Sequence, residues 1–178
     1  MLRGRTVLLR SIERDDVAQL HEWTSDPATW GLTAAAPWAP RTVTEAQKRF
    51  DDGERWAVSD TAVPFAVEAE GALAGSVSLW GIDTLARSGH LAISLGPHAR
   101  GRGWGSDACR VLLGYAFRLR GLHRVQLEVL ADNAAAVRAY EAVGFVHEGR
   151  RRQSAWVDGA FVDELFMGVL EPEWRVRA

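Results

Sequence analysis

Three glycines and two arginines fall within twelve residues, PHARGRGWGSDA from Pro97 to Ala108, between an apolar run and a stretch of helical pattern. Bare backbone at such spacing lets an anionic ligand come close, and phosphate is the usual one. Spacing decides among the phosphate-binding designs. A dinucleotide fingerprint requires G-x-G-x-x-G after a first strand, but after Gly101 and Gly103 the third glycine's place is held by Ser106. A Walker loop requires a lysine, and the stretch has none. What remains is R-x-x-G-x-G, formed by Arg100, Gly101, Arg102, Gly103, Trp104 and Gly105, with a helix expected to open near Ser106. Consecutive amides and the positive end of that helix make a cradle for a pyrophosphate. A plain glycine turn joining strand to helix is the competing reading.

A second stretch, ADNAAAVRAYEAVGF, adds a phenol. Asp132 or Asn133 can cap its helix, Gly144 can end it in a left-handed conformation, and Phe145 can make the apolar contact beyond the cap. Asn133 and Tyr140 are seven residues apart, so they share a helical face at about 10 Å along the axis. Taken alone, Tyr140 reads equally as a core residue of an amphipathic helix.

Together, in this order, the two segments resemble the GNAT family of N-acetyltransferases. Arg100 to Gly105 matches the family's Q/R-x-x-G-x-G/A coenzyme A motif, and DNAAAVRAYEAVGF is similar to its second motif, N-x-x-[SA]-x-x-x-Y-E-K-x-G-F in loose form. The opening RTVLLRSIERDD and the ending WVDGAFVDELFMGVL look most like the Rim-type branch, which acts on ribosomal-protein N-termini and small amines. Three positions depart from that branch: Ala136 replaces a frequent serine, Ala142 a usual lysine, and His90 a frequent glutamate.

The resemblance implies transfer of acetyl from acetyl-coenzyme A to a primary amine, without a metal, with Asn133 and the stretch from Arg100 to Ser106 on the coenzyme. An alkyl amine of pKa near ~10 must lose a proton before it attacks, so a base or a water chain is needed. His90 suits that task, though a hydrogen-bonded strand histidine is an equal reading, and Glu68 and Glu128 compete through water. The oxyanion requires unpaired amides where the strand GHLAISLG splays from RVQLEVLA, and Ile93, Ser94 and Leu95 are the candidates. The expelled thiolate requires a proton, which the family position assigns to Tyr140. The family's acceptor site includes the connection between the first two helices, here holding Trp30 and Trp38 just after Trp23. Those rings read either as acceptor walls or as core. A protein N-terminus, a polyamine, an amino acid derivative and an antibiotic amine all remain open as acceptors.

The elements that must position these groups follow from periodicity. Thr6 to Ser11 reads as a strand, Glu13 to Asp26 as a helix, and Thr42 with Glu45 opens a second helix with a capping box. A hairpin runs from about Phe65 to Ile82 around Gly71, and GHLAISLG, RVQLEVLA and a final pair turning at Asp158-Gly159 are strands. The order is βααβββαβαββ, an α/β (α+β) GNAT-type fold with one mixed central sheet and helices on both faces, in one domain over residues 1–178.

Composition narrows the function. With 21 basic and 23 acidic side chains the net charge is −2, which gives no field for nucleic acid or an anionic membrane. Cys109 is the lone cysteine, and the five histidines show no metal-ligand pairing. A cytoplasmic enzyme is expected, with acetyl-coenzyme A and an amine as partners and a homodimer allowed. A non-catalytic acetyl-coenzyme A sensor is the alternative, against which Tyr140 argues.

Overall fold

The computed structural model describes residues 1–27 and 38–177. Eight strands form one sheet in the order β1-β2-β3-β4-β5-β6-β8-β7. They are β1 (Leu2–Arg3), β2 (Val7–Arg10), β3 (Ala62–Ala69), β4 (Ala72–Asp83), β5 (Ser88–Leu95), β6 (Arg124–Leu130), β7 (Val146–Val157) and β8 (Ala160–Leu170). Neighbours run antiparallel except β5 and β6, the two parallel strands at the centre.

The helices are α1 (Asp16–Ser25), α2 (Val43–Asp51), α3 (Trp104–Gly114), α4 (Ala134–Val143) and α5 (Glu171–Arg177). Apolar alternation in the strands gives the sheet two buried faces. On one face Val77, Leu79, Leu91, Val125 and Leu127 meet Ala108, Leu112 and Leu113 of α3 and Val143 of α4. On the other, Ala66 packs with Ile12, Leu20 of α1, Phe50 of α2 and Trp56.

Among the described residues the expected order is present with two added elements. Strand β1 is two residues long, too short for a period to register, and α5 begins on Glu171-Pro172, where proline suits a first turn. Thr42 and Glu45 make the expected capping box, and Asn133 rather than Asp132 caps α4 by accepting from the Ala136 amide at 3.1 Å. Gly144 ends α4 at φ +115°, and Asp158 and Gly159 form the tight turn between β7 and β8, both at positive φ. Helix α3 opens at Trp104, two residues earlier than expected, and relaxes into a π-turn over Tyr115–Leu119.

Two polar clamps fix the layers. Arg10 on β2 holds Asp16 of α1 at 2.7 and 2.8 Å and Glu68 of β3 at 3.0 Å. Asp107, buried in α3, accepts from the Thr6 amide at 2.7 Å, the Thr6 hydroxyl at 3.0 Å and the Val7 amide at 3.1 Å.

Candidate active site

The parallel pairing is brief. Strands β5 and β6 match only at Ser88–Arg124, Gly89–Val125 and His90–Gln126, and from Leu91 onward β5 has no partner on that side. A gap therefore opens in the middle of the sheet. Gly96 donates its amide to the Ala74 carbonyl at 2.9 Å, so the alternation of an antiparallel ladder turns Ser94 toward β4 and points the Ile93 and Leu95 amides into the gap. Of the three expected oxyanion donors, Ile93 and Leu95 thus have the right direction, and the Ser94 amide belongs to the sheet. Gly75 lets β4 lie this close: a Cβ there would strike the Ser94 carbonyl oxygen and come within 2.9 Å of the Leu95 Cα.

The glycine stretch lies against the same edge. Gly105 presents its bare face to Leu95, where an added Cβ would meet Cδ1 at 3.2 Å. Gly101 and Gly103 sit at φ +74° and +79°, a region glycine enters at no steric cost, and a Cβ on either would meet nothing within 4 Å. A side chain at Gly103 would strain the backbone and project into the cradle rather than into protein. The Trp104, Gly105 and Ser106 amides at the first turn of α3 donate to no carbonyl among the described residues. The Trp104 ring is core, so only its backbone faces the cradle, and Arg102 stacks on that ring at 4.8 Å while reaching Glu70 at 3.3 Å. Arg100 donates to the Leu95 carbonyl at 3.2 Å and ties the loop to the gap.

Tyr140 lies on the α3 side of the sheet, packed on the same apolar cluster as Ile93 and Leu95 and edge-on to Phe145 at 5.9 Å. Its hydroxyl makes no hydrogen bond among the described residues, and burial pushes its ionisation well above the ordinary phenol range. Asn133 spends its side-chain oxygen on the α4 cap and keeps its amide hydrogens. Cys109 is buried in α3, with its thiol pushed up to about 12 by desolvation, which fits an inert core residue.

His90 lies on the opposite face at the head of the gap, stacked on Trp80 at 4.4 Å. The tautomer of the neutral ring follows from its neighbours. Arg124 Nε, which only donates, contacts Gln126 Oε1 at 2.9 Å, so the Gln126 amide nitrogen faces His90 Nε2 at 2.8 Å and donates to it. In that tautomer the hydrogen is on Nδ1, which is buried and lies 3.4 Å from Glu128 Oε2 without making a hydrogen bond. The lone pair a base would use is engaged, so the geometry favours the hydrogen-bonded strand histidine over the base. Glu68 is likewise committed to Arg10.

A cavity of about 240 Å³ lies on the His90 face, between β3 and β4 and the segment from Gly53 to Ser59. Trp56 and Trp80 form walls and Ser76 and Ser78 lie at its floor. Neither tryptophan was legible as a site residue, because their meeting depends on sheet register. Of the expected acceptor walls, Trp30 lies outside the described residues. Trp38 is half-exposed and donates its indole N–H to the Ser25 carbonyl at 2.9 Å, and Trp23 backs the coenzyme loop against Gly96 and His98. Arg150 and Arg151 pair across the hairpin with Asp163 and Glu164 on a solvated strand face. Among the described residues no cluster of His, Cys, Asp or Glu could hold a metal, and no helix is long and apolar enough to cross a membrane.

The family description Acetyltransferase (GNAT) domain matches residues 6–146. Spermidine N(1)-acetyltransferase of Vibrio cholerae is 28% identical over 175 residues, 96% of each chain. A putative ribosomal N-acetyltransferase of Bacillus subtilis is 30% identical over 106 residues, covering 60% of this chain and 58% of that one. In three dimensions the chain is similar to the Vibrio cholerae spermidine N-acetyltransferase solved with CoA and spermine, at TM-score 0.86 and 25% identity over 96% of this chain and 98% of that one. The chain belongs to the GNAT acetyltransferase family and is an acetyl-coenzyme A-dependent N-acetyltransferase. Matches to both a polyamine and a ribosomal enzyme support the family without selecting its Rim-type branch.

Proposed function

We propose that the protein transfers acetyl from acetyl-coenzyme A to a primary amine by direct attack, with the amine entering from the His90 face and the coenzyme held on the α3 side. The carrying observation is the gap beside β5, where the Ile93 and Leu95 amides point at a space flanked by the glycine cradle and the α4 phenol. The residues fit the coenzyme: amides from Gly103 to Ser106 receive its pyrophosphate, and Arg100 and Asn133 border its path. Acetyl-coenzyme A would supply an activated thioester when bound. The chain's own contribution is to orient it, to donate hydrogen bonds from Ile93 and Leu95 to the developing oxyanion, and to donate a proton from the Tyr140 hydroxyl to the leaving sulfur. With His90 Nε2 occupied, proton removal from the amine falls to water, with Glu128 the carboxylate beside His90.

The acceptor belongs to the small amines or to protein N-termini of the Rim-type kind, and polyamines enter as a test because the Vibrio cholerae relative is named for spermidine. A buried thiol as sole cysteine and a near-neutral charge suit a cytoplasmic enzyme. Thiol release measured across a panel of amines, peptide N-termini and spermidine tests the reading. Acetyl-coenzyme A binding without thiol release on any acceptor would leave a sensor in its place.

A further inference from the structure

Gln126 stands where the central pairing ends. His90–Gln126 is the last of the three pairs between β5 and β6, and at that rung the side chains meet as well, Gln126 Nε2 donating to His90 Nε2 at 2.8 Å. The contact continues outward. Arg124 donates from Nε to Gln126 Oε1 at 2.9 Å and reaches Glu148 of β7 with both terminal nitrogens, one of them at 2.6 Å. Strand β8 lies between, and Gly168 keeps it bare there: a Cβ would stand 2.6 Å from Glu148 Oε1 and 2.8 Å from Arg124 Nη2. Inward, the His90 ring stacks on Trp80, its cross-strand partner on β4, at 4.4 Å with 30° between the planes. Trp80 is a wall of the cavity on this face. One chain of side chains thus crosses the sheet from β7 to that cavity, and it joins β5 to β6 at the rung where their backbone ladder stops.

The geometry leaves the His90 ring a single directed bond. Its Nδ1 is buried without a hydrogen bond, a cost that the surrounding structure must offset. Gly81 only leaves room for it, since a Cβ there would meet the ring's Cδ2 at 3.2 Å. Stacking on Trp80 sets the plane of the imidazole but not its rotation within that plane, so Gln126 sets the rotation. Trp80 is itself 44% exposed, so core packing holds only part of its ring and the stack on His90 supports the rest.

We propose that Gln126 is a positioning residue for the amine acceptor, acting through His90 to hold the Trp80 ring as a wall of the cavity. The inference rests on the acetyl-transfer reading and adds to it a residue outside the reacting groups. An amide suits the task because it donates to the imidazole lone pair and accepts from the guanidinium at once. A carboxylate in its place would accept from both and move the ring hydrogen to Nε2, and an apolar side chain would bond to neither.

Gln126→Leu and Gln126→Glu test the proposal, read first from the imidazole nitrogen shifts of His90 and the indole N–H resonance of Trp80 in the full chain, assigned through His90→Phe and Trp80→Phe. The parent should carry the His90 hydrogen on Nδ1. Gln126→Glu should move it to Nε2 and keep the Trp80 resonance near its place, whereas Gln126→Leu should shift or broaden that resonance. With phenethylamine and spermidine as acceptors in thiol release, Gln126→Leu should raise the acceptor KM by about 10-fold, with kcat and the KM for acetyl-coenzyme A within about twofold, and Gln126→Glu should restore it. A Trp80 resonance unmoved in Gln126→Leu, a parent ring with its hydrogen on Nε2, or an acceptor KM that rises no more than that of acetyl-coenzyme A overturns the proposal. If no amine releases thiol while acetyl-coenzyme A binds, the catalytic reading fails, and the resonances still decide whether Gln126 holds the two rings.

Discussion

The Tyr140 hydroxyl is protonated at neutral pH, because burial raises its ionisation above the ordinary value of about 10. A raised phenol pKa means the folded chain binds that proton more tightly than the unfolded one. The associated stability is therefore intact below about pH 10 and declines as pH rises through the folded value. Tyr140→Phe keeps the ring against Phe145 and removes only the donor. Turnover should fall by about 10²- to 10⁴-fold with little change in acetyl-coenzyme A affinity. In the parent, kcat should show no descending limb from this group between pH 6 and 10. Steady-state rates and thermal melts of the pair check both statements. Turnover of the variant within about threefold, with chemistry rate-limiting, assigns the proton to water. Tyr140 was legible because a motif and a helical period converge on it. Trp56 and Trp80 were not, since an irregular segment has no period and Trp80 meets His90 only through cross-strand register.

Helix α3 shows where pattern reading stops. Its apolar positions Cys109, Leu112, Leu113, Ala116 and Phe117 leave Asp107 to fall with Arg110, Gly114 and Arg118 on the remaining, polar side of a helix by period. The structure turns Asp107 inward to clamp β2, because three donors from Thr6 and Val7 wait there without partners of their own. No local signal carries that contact, which spans about a hundred residues. Burial alone would raise the carboxyl's pKa. The amides and hydroxyl around it outweigh burial and hold it below the ordinary range. The stabilisation is accordingly full above the unfolded value of about 3.9 and is lost as pH falls through the lower folded one. Asp107→Asn should cost about 1–3 kcal/mol near pH 7, and the gap to the parent should narrow below about pH 4. Urea melts at pH 7, 4 and 2.5 measure it. A constant difference across that range would mean that the charge contributes nothing.

At the scale of the whole molecule, β7 is an outer strand of twelve residues, exposed along most of its length, and its hairpin tip carries Trp156 and Phe161 in edge-to-face contact at 4.7 Å. Each of those rings is 62% exposed, and Val146 adds 48% at the other end. Long free edges with apolar tips invite pairing. We expect a second copy of this chain to cover this edge, in line with the homodimer expected from the sequence. Replacing Trp156 and Phe161 with serine should shift the protein to monomer in sedimentation velocity at micromolar concentration while leaving far-ultraviolet dichroism unchanged. A parent that is already monomeric removes the expectation.

Three residue pairs hold the antiparallel leaf from β1 to β5 to the leaf from β6 to β8 within the sheet. Beyond them the cleft is bridged by helix packing and by whatever lies in it. An extended ligand there takes the place of the missing ladder, and at a hundred times its dissociation constant it adds about 2.7 kcal/mol to the folded state. For a chain near the usual margin of about 5–15 kcal/mol, that is a large share. Coenzyme bound there, acetylated or free, should therefore slow proteolysis of the chain, since the cleft is where the two leaves part.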